Sequence, residues 1–152
     1  MNTWNIKVPK NYNKQNLAAW ASECVNQGVP REVISLTLLS QSSLSLSLDQ
    51  LEAKSEVEHT IFQVMLDRNL RGFQLEKEGN INEAIELYES NIMDWFSGNH
   101  PYDRLRVIYT KNGQINEAIR VCKSFVKVVD ELISMGYQRG DLYPKRSKFV
   151  EH

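Results

Sequence analysis

Apolar residues recur along this chain mainly at three- and four-residue intervals, the period of an amphipathic helix. A first helix is predicted from about Asn13 to Gln27, with Asn13 as cap, Leu17, Trp20, Ala21, Cys24 and Val25 as apolar face, and Gly28 as stop. Pro30 suits a first helical position, and a second helix is predicted from about Arg31 to Ser40, although Val33 to Leu38 also alternates like a strand. The serine–leucine alternation between Gln41 and Leu48 is a short strand signal without a partner strand, so it reads as a linker whose leucines pack on neighbouring helices. Ser47 and Gln50 form a capping box for a long helix reaching about Glu78. A second box, Ser55 with Glu58, predicts a break near Ser55. Val57, Ile61, Phe62, Met65, Leu66, Leu70, Phe73 and Leu75 supply that helix's apolar surface. Further helices are predicted from Ile81 to about Trp95 (capped by Asn80 with Glu83), from Pro101 to Asn112, and from Ile115 to about Met135, with Gly79, Gly98, Gly113 and Gly136 as punctuation.

One segment occurs twice. Lys77-Glu78-Gly79-Asn80-Ile81-Asn82-Glu83-Ala84-Ile85-Glu86-Leu87 recurs as Lys111-Asn112-Gly113-Gln114-Ile115-Asn116-Glu117-Ala118-Ile119-Arg120-Val121, with seven of eleven positions identical and each displaced by 34. Gly79 and Gly113 can adopt the left-handed turn that reverses one helix into the next. Ala84 and Ala118 let the helices of a hairpin approach closely, while Ile85, Ile119, Leu87 and Val121 are expected to bury the stripe between neighbouring hairpins.

This period and pattern resemble the tetratricopeptide repeat, a stacked helix–turn–helix unit. Gly72, Leu75, Gly79, Ala84 and Tyr88 match one repeat from about Met65 to Gly98, and Leu105, Tyr109, Gly113 and Ala118 match a second from about Asn99 to Leu132. Arg68, Arg106 and Phe125 depart from the pattern, and the closing proline is missing. The resemblance implies an all-α, right-handed stack of antiparallel helix hairpins, an α-solenoid of tetratricopeptide type. Residues 1–47 would form an N-terminal helical cap, 48–136 the repeats and 137–152 a flexible basic tail, all within one compact domain. It also implies a partner-binding groove lined by the first helix of each repeat: Asn69, Phe73, Glu76 and Lys77, then His100, Asp103, Arg104, Val107 and Lys111. The lysine/asparagine set with which some relatives grip a terminal carboxylate is absent, because Phe73 follows Asn69 and Val107 follows Asp103 at the relevant spacing.

Composition narrows the function without naming it. The chain has 152 residues, 41% hydrophobic and 24% charged, with a formal net charge of −1, so no global field draws it to nucleic acid or anionic membrane. It has no run of about 18 apolar residues and no apolar leader, so a cytoplasmic protein off the membrane is expected. Cys24 and Cys122 read as reduced, buried thiols. His59, His100 and His152 are isolated, no CxxC or glycine-rich phosphate loop occurs, and Glu83, Glu86 and Glu89 read as a solvated helix face. No enzyme, cofactor or metal is therefore expected. The leading expectation is a non-enzymatic scaffold or adaptor that holds a partner peptide or helix in its groove. Two alternatives stand beside it. One is a nucleic-acid-associated regulator using Arg139, Lys145, Arg146 and Lys148 of the tail with Arg68, Arg71, Arg104 and Arg106. The other is a self-associating module, a homodimer.

Overall fold

A computed structural model describes residues 4–41 and 43–136, together with Arg146 and Phe149. The fold is all-α, with no strand among the described residues. Helices α1 (Lys14–Asn26) and α2 (Arg31–Leu39) lead through one 3-10 turn at Ser43–Ser45 into α3 (Leu48–Lys77), followed by α4 (Ile81–Met93), α5 (His100–Lys111) and α6 (Ile115–Ser134). Helix α3 packs against α1, α2 and α4, α4 against α5, and α5 against α6.

The helix ends show why the chain breaks where it does. Asn13 caps α1 by accepting from the Asn16 N–H at 2.9 Å, and Ser47 and Gln50 close their capping box in both directions. Helices α1, α3 and α5 all end in the same turn. Gly28, Gly79 and Gly113 adopt φ of +85°, +84° and +74°. The following N–H then reaches back to the helix: Val29 to the Cys24 carbonyl (3.0 Å), Asn80 to Leu75 (2.8 Å) and Gln114 to Tyr109 (2.8 Å). The doubled segment thus forms the same turn twice, 34 residues apart, with Asn80 and Gln114 sharing φ −87° and ψ 65°. Neither side chain caps the helix that follows, against the expectation for Asn80, because both backbones are set by the turn.

Other expectations are corrected. Helix α3 runs 30 residues without a break at Ser55, which is exposed in mid-helix while Ala53, Val57, Ile61 and Met65 bury one continuous face. Helix α4 stops at Met93. Trp95 takes the left-handed conformation (φ +59°) that glycine fills in the other turns, and the Phe96 N–H closes on the Asn91 carbonyl at 3.0 Å. A bulky side chain at positive φ is strained; partial burial of Trp95 and Phe96 against the N-terminal core offsets this. The linker leucines do not pack alike: Leu46 is partly buried, but Leu44 and Leu48 are exposed. Ile119 is 40% exposed rather than buried between hairpins, on the outer face of α6.

Two large cores result. Leu17, Cys24, Val33, Ile34, Leu38 and Met65 anchor the N-terminal one, and Tyr88, Tyr102, Leu105, Val121 and Phe125 the C-terminal one. Leu36 with Val128 and Leu132 joins α2 to α6. Cys24 and Cys122 are buried, unpaired thiols in different cores. In the tail, Phe149 is buried with its ring 4.6 Å from that of Phe125, and Arg146 pairs with Asp130. The basic, flexible character expected for 137–152 otherwise falls outside the described residues.

A polar joint fixes the N-terminal hairpin to the rest. Pro30 precedes α2 and offers no capping side chain. Instead Asp94, 63 residues away, accepts the Arg31 N–H at its Oδ1 (3.1 Å), while its backbone carbonyl accepts the Glu32 N–H (3.1 Å). Asp94 Oδ2 also pairs with the guanidiniums of Arg31 (2.7 Å) and Arg68 (2.5 Å). Glu32 Oε1 accepts from the backbone and hydroxyl of Ser97. The Arg68 that departs from the repeat pattern is thus the α3 member of this joint.

Candidate functional site

The residues expected to line a groove lie on α3 and α5, which touch through Arg104–Glu76 and Phe73–His100, and they divide into two groups. Asn69 is buried, and its Oδ1 accepts from Asn91 Nδ2 at 2.8 Å. Glu76 is also turned inward, its side chain only 11% exposed. It accepts a forked pair of bonds from Arg104 (2.6 and 3.1 Å) and one from the Tyr88 hydroxyl (2.6 Å). Asp103 pairs with Arg106. The Asn69 and Glu76 contacts hold α3, α4 and α5 together, while the Asp103–Arg106 pair lies within α5.

The open part of the face is Phe73, Lys77, His100, Val107 and Lys111. Phe73 is 41% exposed, with the Lys77 ammonium 4.4 Å from its ring centroid. His100, the first residue of α5, packs edge-on against Tyr88 at 5.6 Å and Phe73 at 6.3 Å. Val107 is half-buried, and Lys111 is exposed at the end of α5.

Burial and pairing shape the titration of this cluster. Burial raises the Glu76 carboxyl, but the Arg104 and Tyr88 hydrogen bonds outweigh it and hold its pKa below the ordinary 4.5. Burial disfavours the His100 imidazolium and, with Arg104 nearby, sets its pKa below 6.5 despite Glu76. Both shifts act on the acid side. The unfolded His100 protonates near 6.5 while the folded ring stays neutral, so this contribution is present above 6.5 and is lost as pH falls through the folded pKa. That of Glu76 is present above 4.5 and is lost at still lower pH. Urea midpoints below pH 6.5 should therefore decline with a His100 component no steeper than the one-proton slope of about 1.4 kcal/mol per pH unit. That component should be absent in His100→Asn. A His100 ring that titrates at or above 6.5 by NMR would contradict this.

Sequence reading missed the most exposed part of the face. Phe62 (50% exposed), half-buried Leu66, Leu70 (61% exposed) and Phe73 form one stripe along α3. At 100° per residue they fall within an arc of about 80°. The eight apolar positions on this helix span too wide an arc for one core-facing stripe, which is the signal that could have separated this row from Ile61, Met65 and Leu75. Beside Phe62 the surface dips into a cavity of about 370 Å³ between α2, α3 and the α4–α5 loop, lined by Glu32, Ser35, Met65, Phe96 and Gly98.

Among the described residues no group of three or more His, Cys, Asp and Glu side chains is placed to hold a metal. No described helix is long and apolar enough to cross a membrane. Of the five described arginines considered for phosphate contact, four have carboxylate partners: Arg68 with Asp94, Arg104 with Glu76, Arg106 with Asp103, and Arg146 with Asp130. Comparison with known proteins finds no matching family model, no matching curated protein and no matching solved structure.

Proposed function

We propose that this chain is a non-enzymatic, cytoplasmic scaffold of tetratricopeptide type that engages a protein partner through the α3–α5 face. The repeat assignment is supported by the doubled segment, whose two copies make the same glycine turn. Cytoplasmic placement is supported by two reduced thiols in separate cores. The observation that carries the function is the outward row Phe62, Leu66, Leu70 and Phe73 along α3, an apolar surface of the kind that marks association sites. Its mechanism is passive: rigid helices present the row, and an amphipathic segment covers it.

Affinity capture tests the reading. Leu70→Glu and Phe73→Ala should each reduce recovery of a bound protein by about tenfold or more, as hot-spot losses do. The midpoint of thermal unfolding should stay near wild type, because both side chains are substantially exposed. Equal recovery by wild type and both variants would refute the assignment. Arg104→Glu is a poor probe, since it sets a carboxylate against Glu76 and breaks the joint between α3 and α5. Paired arginines count against the nucleic-acid alternative, which a low-salt gel shift would revive.

A further inference from the structure

We propose that the partner covering the α3 stripe is a second copy of this chain, laid antiparallel across α3 about a two-fold axis. The inference rests on the α3–α5 face being a protein-docking surface and names its occupant.

The spacing is nearly the same from either end: Phe62, Leu66 four residues on, Leu70 four further, Phe73 after three. A two-fold axis near position 68 therefore sets Phe62 against the second copy's Phe73 and Leu66 against its Leu70, and the converse pairs follow by symmetry. Such self-complementarity is what an isologous interface requires. Each Phe73 would arrive beside the other copy's cavity next to Phe62, giving the seam an aromatic anchor at both ends. Charge agrees with this arrangement. A formal net charge of −1 leaves two copies little to repel. Asp67 and Arg71 lie off the stripe, about 60° and 100° beyond its Leu70 edge at 100° per residue. The exposed parts of Phe62, Leu70 and Phe73 amount to roughly 100 Å² each, about 300 Å² of apolar surface per copy. Even with flanking Gln63, Gln74 and Lys77 covered, the seam stays at the low end of interface sizes, at or below roughly 1,200 Å² in total. Association is accordingly weak and concentration-dependent.

Sedimentation equilibrium on the full chain across a concentration series tests the proposal. Wild type should show a monomer–dimer equilibrium. Leu70→Glu should weaken it at least about 30-fold, whereas Met93→Glu, at an exposed site on α4, should dimerise like wild type. A wild type that stays monomeric up to its solubility limit overturns the proposal, as does a dimer that Leu70→Glu leaves intact. If the chain is monomeric but Leu70→Glu still abolishes capture of another protein, the docking surface stands and only the second-copy assignment falls. If capture is also unchanged, both fall.

Discussion

Asp94→Ala is expected to destabilise the protein by about 3 kcal/mol, in the range for removing one member of a largely buried, hydrogen-bonded charge cluster. Four consequences converge on this side chain. The Arg31 backbone N–H loses its acceptor, so α2 loses its side-chain cap. The Arg31 guanidinium loses its carboxylate, with its side chain only 20% exposed. Arg68, equally enclosed, keeps its bond to Asn91 Oδ1 (3.1 Å) but loses the charge it faced. The joint between the N-terminal hairpin and the α4–α5 loop then rests on the backbone bond from the Glu32 N–H to the carbonyl of residue 94 and on the Glu32–Ser97 bonds. For a chain of this length the thermal midpoint should fall by roughly 6–12 °C. Asp94→Asn, which keeps one acceptor oxygen, should fall in between. Asp67→Ala, at an exposed carboxylate on α3, should change stability by about 0.5 kcal/mol or less. Equal losses for Asp94→Ala and Asp67→Ala would refute the capping role.

Gly72→Ala should also destabilise, by about 2 kcal/mol, although alanine is ordinarily the better helix former by about 1 kcal/mol. A Cβ on Gly72 would stand 2.6 Å from Tyr88 Cε1 and 2.9 Å from Cζ. The Tyr88 ring has little room to yield: it is fully buried, its hydroxyl is bound to Glu76, and His100 packs edge-on against it. Helices α3 and α4 would have to separate by several tenths of an ångström, straining the Glu76–Arg104 fork. Tyr88→Leu, which removes the clashing edge, should make the double variant less unstable than the sum of the two single losses. Chemical denaturation of the four proteins measures this directly. A Gly72→Ala protein as stable as wild type would show that the hairpin can open at little cost.

What the sequence made legible was local. Helix ends at Gly28, Gly79 and Gly113 follow from a backbone requirement that glycine meets without penalty, and the Ser47–Gln50 box lies within one turn. The end of α4 was misread because Trp95 occupies the position glycine fills in the other turns, and only packing makes that tolerable. Asp94 was invisible as a cap because its targets lie 63 residues earlier and no spacing rule connects them. In the candidate site, Phe73 and Lys77 are exposed and His100 is half-buried, whereas Asn69 and Glu76 are turned to the interior. Helical spacing alone cannot tell a groove-facing polar residue from one that bonds to the neighbouring helix. The outward row Phe62, Leu66 and Leu70 was not separable from the buried part of the same apolar surface for the same reason: hydrophobicity gives an arc, and only neighbours decide which part of it is covered.

The remote cap on α2 also bears on time. As the chain is synthesised, α2 emerges with its first N–H groups lacking the acceptors they have in the finished fold, and Asp94 follows 63 residues later. At about 5–20 residues per second that interval is roughly 3–13 s. During it Val33, Ile34 and Leu38 belong to a helix whose start is unsecured, within a run that also alternates as a strand does. The N-terminal hairpin thus reaches its final form only once α4 has been made, and a slow or paused ribosome lengthens the one period in which this segment has an alternative.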